Sequence, residues 1–315
     1  MNNVITGTFN TGEYHGYNVK YSPFNKNLVA CAASQNYGIT GAGRLFILDV
    51  NYGKQVTVAG SKDWSDGLFD VTWSEVNPQL VVTSCGDGSI QIWDIYVSPN
   101  PVSVYRIHDK EVFSVEWNPQ NSYTYILSAS WDHTVKLWDP FAAKEVSAFL
   151  EHTDQVYEAC WSPHCVEVFS SVSGDRTLRL WDIRTPARAY ACYPHETEVL
   201  CCDWSKLNSD VIATGTTDGR IFEWDVRKML DPLFVLSGHE YAIRQLKFSP
   251  FERGRLASVS YDFTTRFWNW NVAHALQIHK QHSEFVYGLD FSPIRRNEAI
   301  DCAWDSILCI YNDRT

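Results

Sequence analysis

A short apolar strand ending in Trp-Asp or a close variant returns seven times along this 315-residue chain. The strand ends fall at Leu48-Asp49, Trp93-Asp94, Trp138-Asp139, Trp181-Asp182, Trp224-Asp225, Trp268-Asn269 and Tyr311-Asn312, spaced by 45, 45, 43, 43, 44 and 43 residues. A fixed period in this range means one supersecondary unit repeated, each unit burying its apolar face against the next. Seven such units consume nearly the whole chain, so residues 1–315 read as one domain with no room for a second.

One unit shows the pattern in full. Val112 to Trp117 alternates as a half-buried strand, Tyr125 to Ser130 is a second, Asp132-His133 makes a tight turn, and Val135 to Trp138 is a third. Ala143 to Leu150 supplies a fourth, outer strand before the next unit starts at His152. Four strands per unit and a terminal Trp-Asp resemble the WD repeat, which implies an all-β, seven-bladed β-propeller. A closed ring needs its two ends joined. We expect residues near Val4 to Phe9 to add the outer strand to the blade that ends at Tyr311, leaving no open sheet edge.

The repeats also carry a polar quartet in constant phase: a His at the start of the blade, a Ser or Thr four residues before the turn Asp, that Asp, and a Trp six residues after it. Complete sets are His108, Ser128, Asp132, Trp138; His152, Ser171, Asp175, Trp181; His195, Thr214, Asp218, Trp224; and His239, Ser258, Asp262, Trp268. The Asp can accept from His and from its turn, and the hydroxyl can link His to the indole N–H, so each buried polar atom is satisfied. His, Ser and Asp in mutual reach resemble a hydrolase triad. A catalytic set is needed once, however, while this one occurs four times, and its Ser lacks a Gly-x-Ser-x-Gly elbow. The quartets are therefore structural and the chain is not read as an enzyme. The end repeats depart from the pattern: Leu48 replaces Trp and Ala42 the Asp in the first, Trp64 replaces His in the second, and Asp301 and Tyr311 replace the hydroxyl residue and Trp in the last. Glu223 stands where other repeats carry Leu, Ile or Phe, and the pattern does not explain it.

With 26 Lys and Arg against 37 Asp and Glu, the net charge of −11 argues against a nucleic-acid binder, which needs a basic face, and favours a partner that carries positive charge. Nine cysteines without a Cys-x-x-Cys pair, several within strand patterns (Cys160, Cys201, Cys202), read as reduced core thiols and not as a metal site. No metal or cofactor is implied. The N-terminal Met-Asn-Asn-Val-Ile-Thr-Gly lacks a basic segment followed by an apolar run, and no stretch approaches 18 apolar residues, so neither secretion nor membrane insertion is expected.

Aligning the repeats places Phe69, Phe113, Tyr157, Leu200, Arg244 and Tyr287 at one position entering the innermost strand, with Trp131, Thr217, Tyr261 and Trp304 just before the turn Asp. Both positions open onto one face around the central channel. We expect a ring of exposed aromatics there, flanked by Asp66, Glu111, Glu198 and Glu284, which suits a short amphipathic segment with an apolar side and one or two cations.

Four stretches, His15 to Phe24, Ser34 to Ile39, Asp63 to Trp73 and Ser260 to Thr264, resemble the peroxin 7 family, receptors for the type 2, N-terminal peroxisomal targeting signal. The resemblance spans all seven repeats, and the irregular first and second repeats make it specific. It implies a receptor in the cytoplasm that binds a nonapeptide of the form Arg, apolar residue, five variable residues, His or Gln, Leu or Ala. A helix sets the cation and apolar residues of such a peptide on one side. The resemblance further implies that Asp66 and Glu111 recognise the signal's Arg, with Phe69, Phe113, Trp131, Tyr157, Glu198 and Tyr287 completing the peptide site. It implies cargo proteins such as thiolase, a co-receptor that clamps the cargo helix, touching Tyr261 or Trp304, docking proteins at the peroxisomal membrane, and cycling between cytoplasm and peroxisome. A second reading, of another class, is a substrate receptor of a cullin ubiquitin ligase. Its basis is Trp181-Asp182-Ile183-Arg184 and Trp224-Asp225-Val226-Arg227, which resemble the Trp-Asp-x-Arg adaptor-docking pattern.

Overall fold

The computed structural model describes residues 4–51, 55–120, 124–228, 231–272 and 274–312. They form seven four-stranded antiparallel sheets. The third blade shows the plan: Val112–Trp117 lines the channel, followed outward by Ile126–Ser130, Val135–Asp139 and Lys144–Phe149. Burial follows the order, with the second strand buried throughout and the outermost strand largely exposed except Phe149. In the last blade the outer position is taken by Val4–Asn10, whose Phe9 pairs with Leu308 and Asn10 with Ile307. The ring therefore closes through its first strand, as expected, with Val4–Asn10 and Ile307–Asn312 in the same sheet.

Between blades the core is a series of apolar clusters. One packs Leu127, Leu137, Phe149 and Val156 with Trp161, Phe169 and Trp181, all at most 2% exposed. Burying one such side chain contributes about 1.5–3 kcal/mol, so the contacts between blades stabilise the ring.

Every innermost strand contains a β-bulge at the same place. Val112 pairs with Ser130 and Ser114 with Ala129, so Phe113 is the extra residue, and the register shift recurs in the other six blades. A bulge turns two successive side chains to one face. Here both the bulged residue and its successor reach the channel.

The bulged strand is also an unpaired edge, and its inward N–H groups need acceptors. The preceding blade supplies them. Asp70, Glu158 and Gln245 accept from the backbone N–H of Val115, Cys202 and Leu289 at 2.8, 2.9 and 2.7 Å. A second tier, Glu116, Asp203 and Asp290, accepts from Trp161, Phe248 and Tyr21 at 2.5, 2.8 and 2.9 Å. Asp290 thus bonds the last blade to the first. Lys247 lies between Glu158 and Asp203 at 3.3 and 3.7 Å, and Lys206 reaches Asp203 at 2.9 Å, so part of this buried negative charge is paired.

The polar quartets are complete in two blades. Trp181 donates to Ser171 at 2.8 Å, Ser171 to His152 Nε2 at 2.7 Å, and His152 Nδ1–H to Asp175 at 2.7 Å. Trp268, Ser258, His239 and Asp262 repeat the chain. Burial lowers the His152 pKa more than Asp175 raises it, so the ring is neutral; burial would raise Asp175, but His152 and Thr177 outweigh it and hold the carboxyl below its ordinary range. Asp175→Ala should lower unfolding free energy by about 1–3 kcal/mol, because the His152 donor loses its acceptor in a buried site. Chemical denaturation measures this, and unchanged stability would contradict the structural role.

The other two quartets are corrected. In the third blade His108 bonds Asp132 and Ser128 at 2.8 Å each, but the Trp138 indole N–H has no partner among the described residues and its ring packs against Tyr105. In the fifth, Arg220 takes Asp218 at 2.6 Å, leaving His195 Nδ1 on the Tyr193 carbonyl at 3.2 Å; Thr214 still links His195 and Trp224. An arginine two residues after the turn outcompetes the imidazole for its carboxylate. The turn Asp has a second task. The next residue takes a left-handed conformation, including His133 at φ 74° and Phe263 at φ 66°, and the Asp132 and Asp262 carboxylates each accept from the backbone two residues on at 3.0 Å.

The last blade builds a substitute. His282 lies between Asp301 and Asp305 at 3.0 Å each, while Tyr311 donates to Asp301 at 2.7 Å. Burial alone would lower this imidazole, but Asp301 and the two hydrogen bonds outweigh it and raise its pKa to about 12. Glu223 is 4% exposed, its carboxyl pushed up to about 7 by burial and one oxygen without a partner. Nothing in its surroundings explains it.

Candidate peptide-binding face

The loops entering the innermost strands and the turns carrying the Asp residues meet at one end of the channel. A backbone bond ties them together in the third, fifth, sixth and seventh blades: Trp131 N–H donates to Glu111 O at 3.1 Å, Thr217 to Glu198 at 3.1 Å, Tyr261 to Ala242 at 3.0 Å and Trp304 to Phe285 at 2.9 Å. This clamp sets Glu111 beside Trp131 and Glu198 beside Thr217. Proximity that the alignment could only suggest is thus fixed by the backbone.

The aromatics are less exposed than expected. Phe69, Phe113 and Tyr287 are 7% exposed and, with Tyr17, plug the channel; Trp131, Tyr157, Tyr261, Phe285 and Trp304 pack against them half-buried. The reason is the bulge, which turns the first set inward over the channel while the turns hold the second set around it. Tyr261 and Trp304 belong to this cluster and not to an outer rim: Tyr261 stacks on Phe285 at 4.5 Å and Trp304 on Tyr287 at 4.7 Å. A cavity of about 300 Å³ opens between Phe113, Trp131, Tyr157, Leu200, Tyr261 and Tyr287.

Around it stand the carboxylates. Asp66 accepts from its neighbour Gly67 at 2.7 Å, and Glu198 accepts from the Tyr157 hydroxyl at 3.2 Å. Among the described residues no cation pairs with Asp66, Glu111 or Glu198. Glu111 and Asp66 are half-buried, so a cation brought to them would meet charge in a partly desolvated setting. Glu284 is half-buried in the loop before Phe285.

Sequence reasoning missed several residues here. Tyr17 holds the position of Phe69 in the first blade and would have been found by extending the alignment. Asp154 corresponds to Asp66 two blades on and is exposed. Tyr37 carried no repeat signal: it lies in the 3₁₀ turn Asn36–Gly38 with φ 56°, stacks on His15 at 4.0 Å, packs on Trp304 at 5.3 Å, and its carbonyl accepts from Tyr17 at 2.7 Å. The first blade thereby arches over the edge of the aromatic cluster.

Three close donors of metal-ligand type occur among the described residues, His282, Asp301 and Cys309, with ligand atoms within 4.8 Å of one another. Asp301 already accepts from His282, Tyr311, Thr265 and the Cys309 N–H, which accounts for the group as the last blade's substitute quartet. No disulfide links the nine thiols, seven of which are buried.

Comparison with known proteins follows the same lines. The sequence model for the WD domain, G-beta repeat, matches residues 53–94, 99–139, 143–182, 188–225 and 230–269. Each match begins near the outer strand of one blade and ends with the third strand of the next, and none covers the irregular first repeat's inner strands or the closing blade. The chain is 55% identical over 299 residues to the peroxisomal targeting signal 2 receptor of Mus musculus, covering 95% of this chain and 94% of that protein. It is 45% identical over 302 residues to peroxisome biogenesis protein 7 of Arabidopsis thaliana, covering 95% of each, and 48% identical over 283 residues to the peroxisomal targeting signal 2 receptor of Dictyostelium discoideum, covering 89% of each. Among solved structures, the WD40 β-propeller domain of Doa1 superposes with a TM-score of 0.81 over 98% of this chain and 96% of that chain; at 19% identity the likeness concerns the fold alone.

Proposed function

The chain belongs to the family of peroxisomal targeting signal 2 receptors, and from that premise we propose that it is a cytoplasmic import receptor whose aromatic and acidic face binds the N-terminal targeting nonapeptide of peroxisomal matrix proteins. The observation that carries this reading is the pairing of uncommitted carboxylates with a half-open aromatic cluster on one face. An amphipathic helix would lay its apolar residues on Trp131, Tyr157, Tyr261 and Trp304 and bring its Arg to Asp66 and Glu111. Phe69, Phe113 and Tyr287 would support that surface from beneath, with Glu198 on its far wall. A co-receptor would close over the bound helix near Tyr261 and Trp304 and take the complex to docking proteins at the peroxisomal membrane, so the receptor cycles between cytoplasm and peroxisome.

The test uses the purified chain and a labelled nonapeptide, Arg-Leu-x5-His-Leu, followed by fluorescence anisotropy with and without cytosolic extract as a source of co-receptor. Saturable binding that weakens when the peptide Arg is replaced by Ala is the expected result. No binding under either condition would overturn the reading. The relatives give no support to the cullin-ligase alternative, and the two arginines behind it are engaged locally: Arg184 donates to Asp182 at 2.9 and 2.5 Å, and Arg227 to Asp225 at 2.9 and 2.8 Å and to Asp210 at 3.0 Å.

A further inference from the structure

One cation sits at the centre of this acidic face. Arg244 occupies the bulge position of the sixth blade, where most other blades carry an aromatic ring, and is only 8% exposed. Its guanidinium lies 4.6 Å from the centre of the Phe113 ring and 5.0 Å from that of Tyr287. Among the described residues it makes no salt bridge, and Nε has no hydrogen-bond partner. It lines the cavity of about 300 Å³ described above.

A buried guanidinium with five donors and no acceptor is costly, because burial removes the water that would otherwise satisfy it. Contact with aromatic faces offsets part of that cost. It does nothing for the in-plane N–H groups. The unpartnered Nε and the terminal nitrogen beside it form a two-donor fork, and the cavity that Arg244 lines leaves room there for an acceptor. A carboxylate matches that fork with two parallel hydrogen bonds. The same wall holds a second donor: the Tyr261 and Tyr287 hydroxyls share one hydrogen bond of 2.9 Å, which leaves one proton of the pair free to donate.

We propose that the cavity is a carboxylate-binding subsite, in which Arg244, assisted by the Tyr261–Tyr287 hydroxyl pair, binds an Asp or Glu side chain of the bound peptide helix. The proposal rests on the targeting-signal reading of this face. It extends that reading by giving the variable positions of the nonapeptide a charge preference. The acids around the face select a cation at its edge, and Arg244 selects an anion at its centre, so a helix carrying both charges is held in one register.

The experiment is a Glu scan. Five nonapeptides, each with Glu at one of the five variable positions, are compared with their Gln counterparts on the full chain by fluorescence anisotropy. One position should bind about tenfold more tightly as Glu than as Gln, the gain expected of a charge-assisted pair. In Arg244→Gln the ratio of Glu to Gln peptide affinity at that position should fall to about one, whatever the change in overall affinity, and Arg244→Lys should retain only part of the gain. No gain at any position, or a gain that persists in Arg244→Gln, overturns the subsite. If no nonapeptide binds at all, the targeting-signal reading fails, and the subsite is then decided with phenylacetate alone. Shifts in the aromatic NMR signals of the wild type that are absent from Arg244→Gln support it, and no shifts, or equal shifts in both, reject it.

Discussion

Glu111→Arg should lower affinity for an Arg-bearing signal peptide by about a hundredfold, a loss of about 2.7 kcal/mol, while the ring keeps its melting temperature. The Glu111 backbone is held by Trp131, but its carboxylate enters no hydrogen bond or ion pair among the described residues, so its removal strands no partner. An opposite charge about 4 Å away contributes roughly 4 kcal/mol at an effective dielectric near 20, before desolvation is subtracted. Reversal replaces that attraction with repulsion. A peptide with Glu in place of its Arg should regain part of the lost affinity on the mutant and none on the wild type. Titration of both peptides against both proteins reads the coupling directly, and unchanged affinity of the mutant for the Arg peptide would remove Glu111 from the site.

Asp203→Ala should damage the fold strongly, lowering unfolding free energy by about 3–5 kcal/mol. Asp203 is 1% exposed and accepts from the Phe248 N–H of the next blade at 2.8 Å. It also faces Lys206 at 2.9 Å and Lys247 at 3.7 Å, which hold its carboxyl below the ordinary range although burial alone would raise it. Alanine removes the bond between blades and leaves Lys247 with Glu158 as its one remaining acid at salt-bridge distance. Asn keeps an acceptor for Phe248 and should cost less. Denaturation midpoints of the two variants test the order, and equal small effects would show that the channel acids do not join the blades. This cost exceeds that of Asp175→Ala because Asp203 both joins two blades and pairs with Lys206, whereas Arg179 beside Asp175 keeps Glu151 at 2.9 Å.

The two mutations differ in how far each residue could be read in advance. Glu111 stands at a loop position that the repeat alignment brings to one face, and an acid beside a set of aromatics is a signal in its own right. Asp203 looks like any polar residue alternating with apolar ones in a strand. Its role depends on which blade lies next to it and on a free N–H in Phe248, and neither is written in its own strand. Arg244 is intermediate: the alignment found its position, but only the packed rings of Phe113 and Tyr287 show that the charge is buried without an acceptor.

The quartets make the same point. The phase of His, Ser or Thr, Asp and Trp is a local property of each repeat, yet only the quartets of Asp175 and Asp262 close. Whether the bonds form depends on other neighbours: Arg220 of the same blade draws Asp218 away from His195, and the Trp138 indole, packed on Tyr105 of the preceding blade, makes no bond to Ser128. Composition cannot rank those competitors, because distances of a few tenths of an ångström decide between them.

The seven strand ends, Trp-Asp or a close variant, by themselves determined the number of blades and, because a ring must join its ends, the outer strand near Val4 to Phe9, since a constant period forces equivalent residues to equivalent places. Only the tertiary structure decided what those places are like. The bulge in each inner strand turned Phe69, Phe113 and Tyr287 from expected exposed contacts into a channel plug, and it put Arg244 among them on the lining of a cavity. A period specifies which residues share a position; burial, charge pairing and access at that position arise from neighbours distant in the chain, and these come together only when the ring closes.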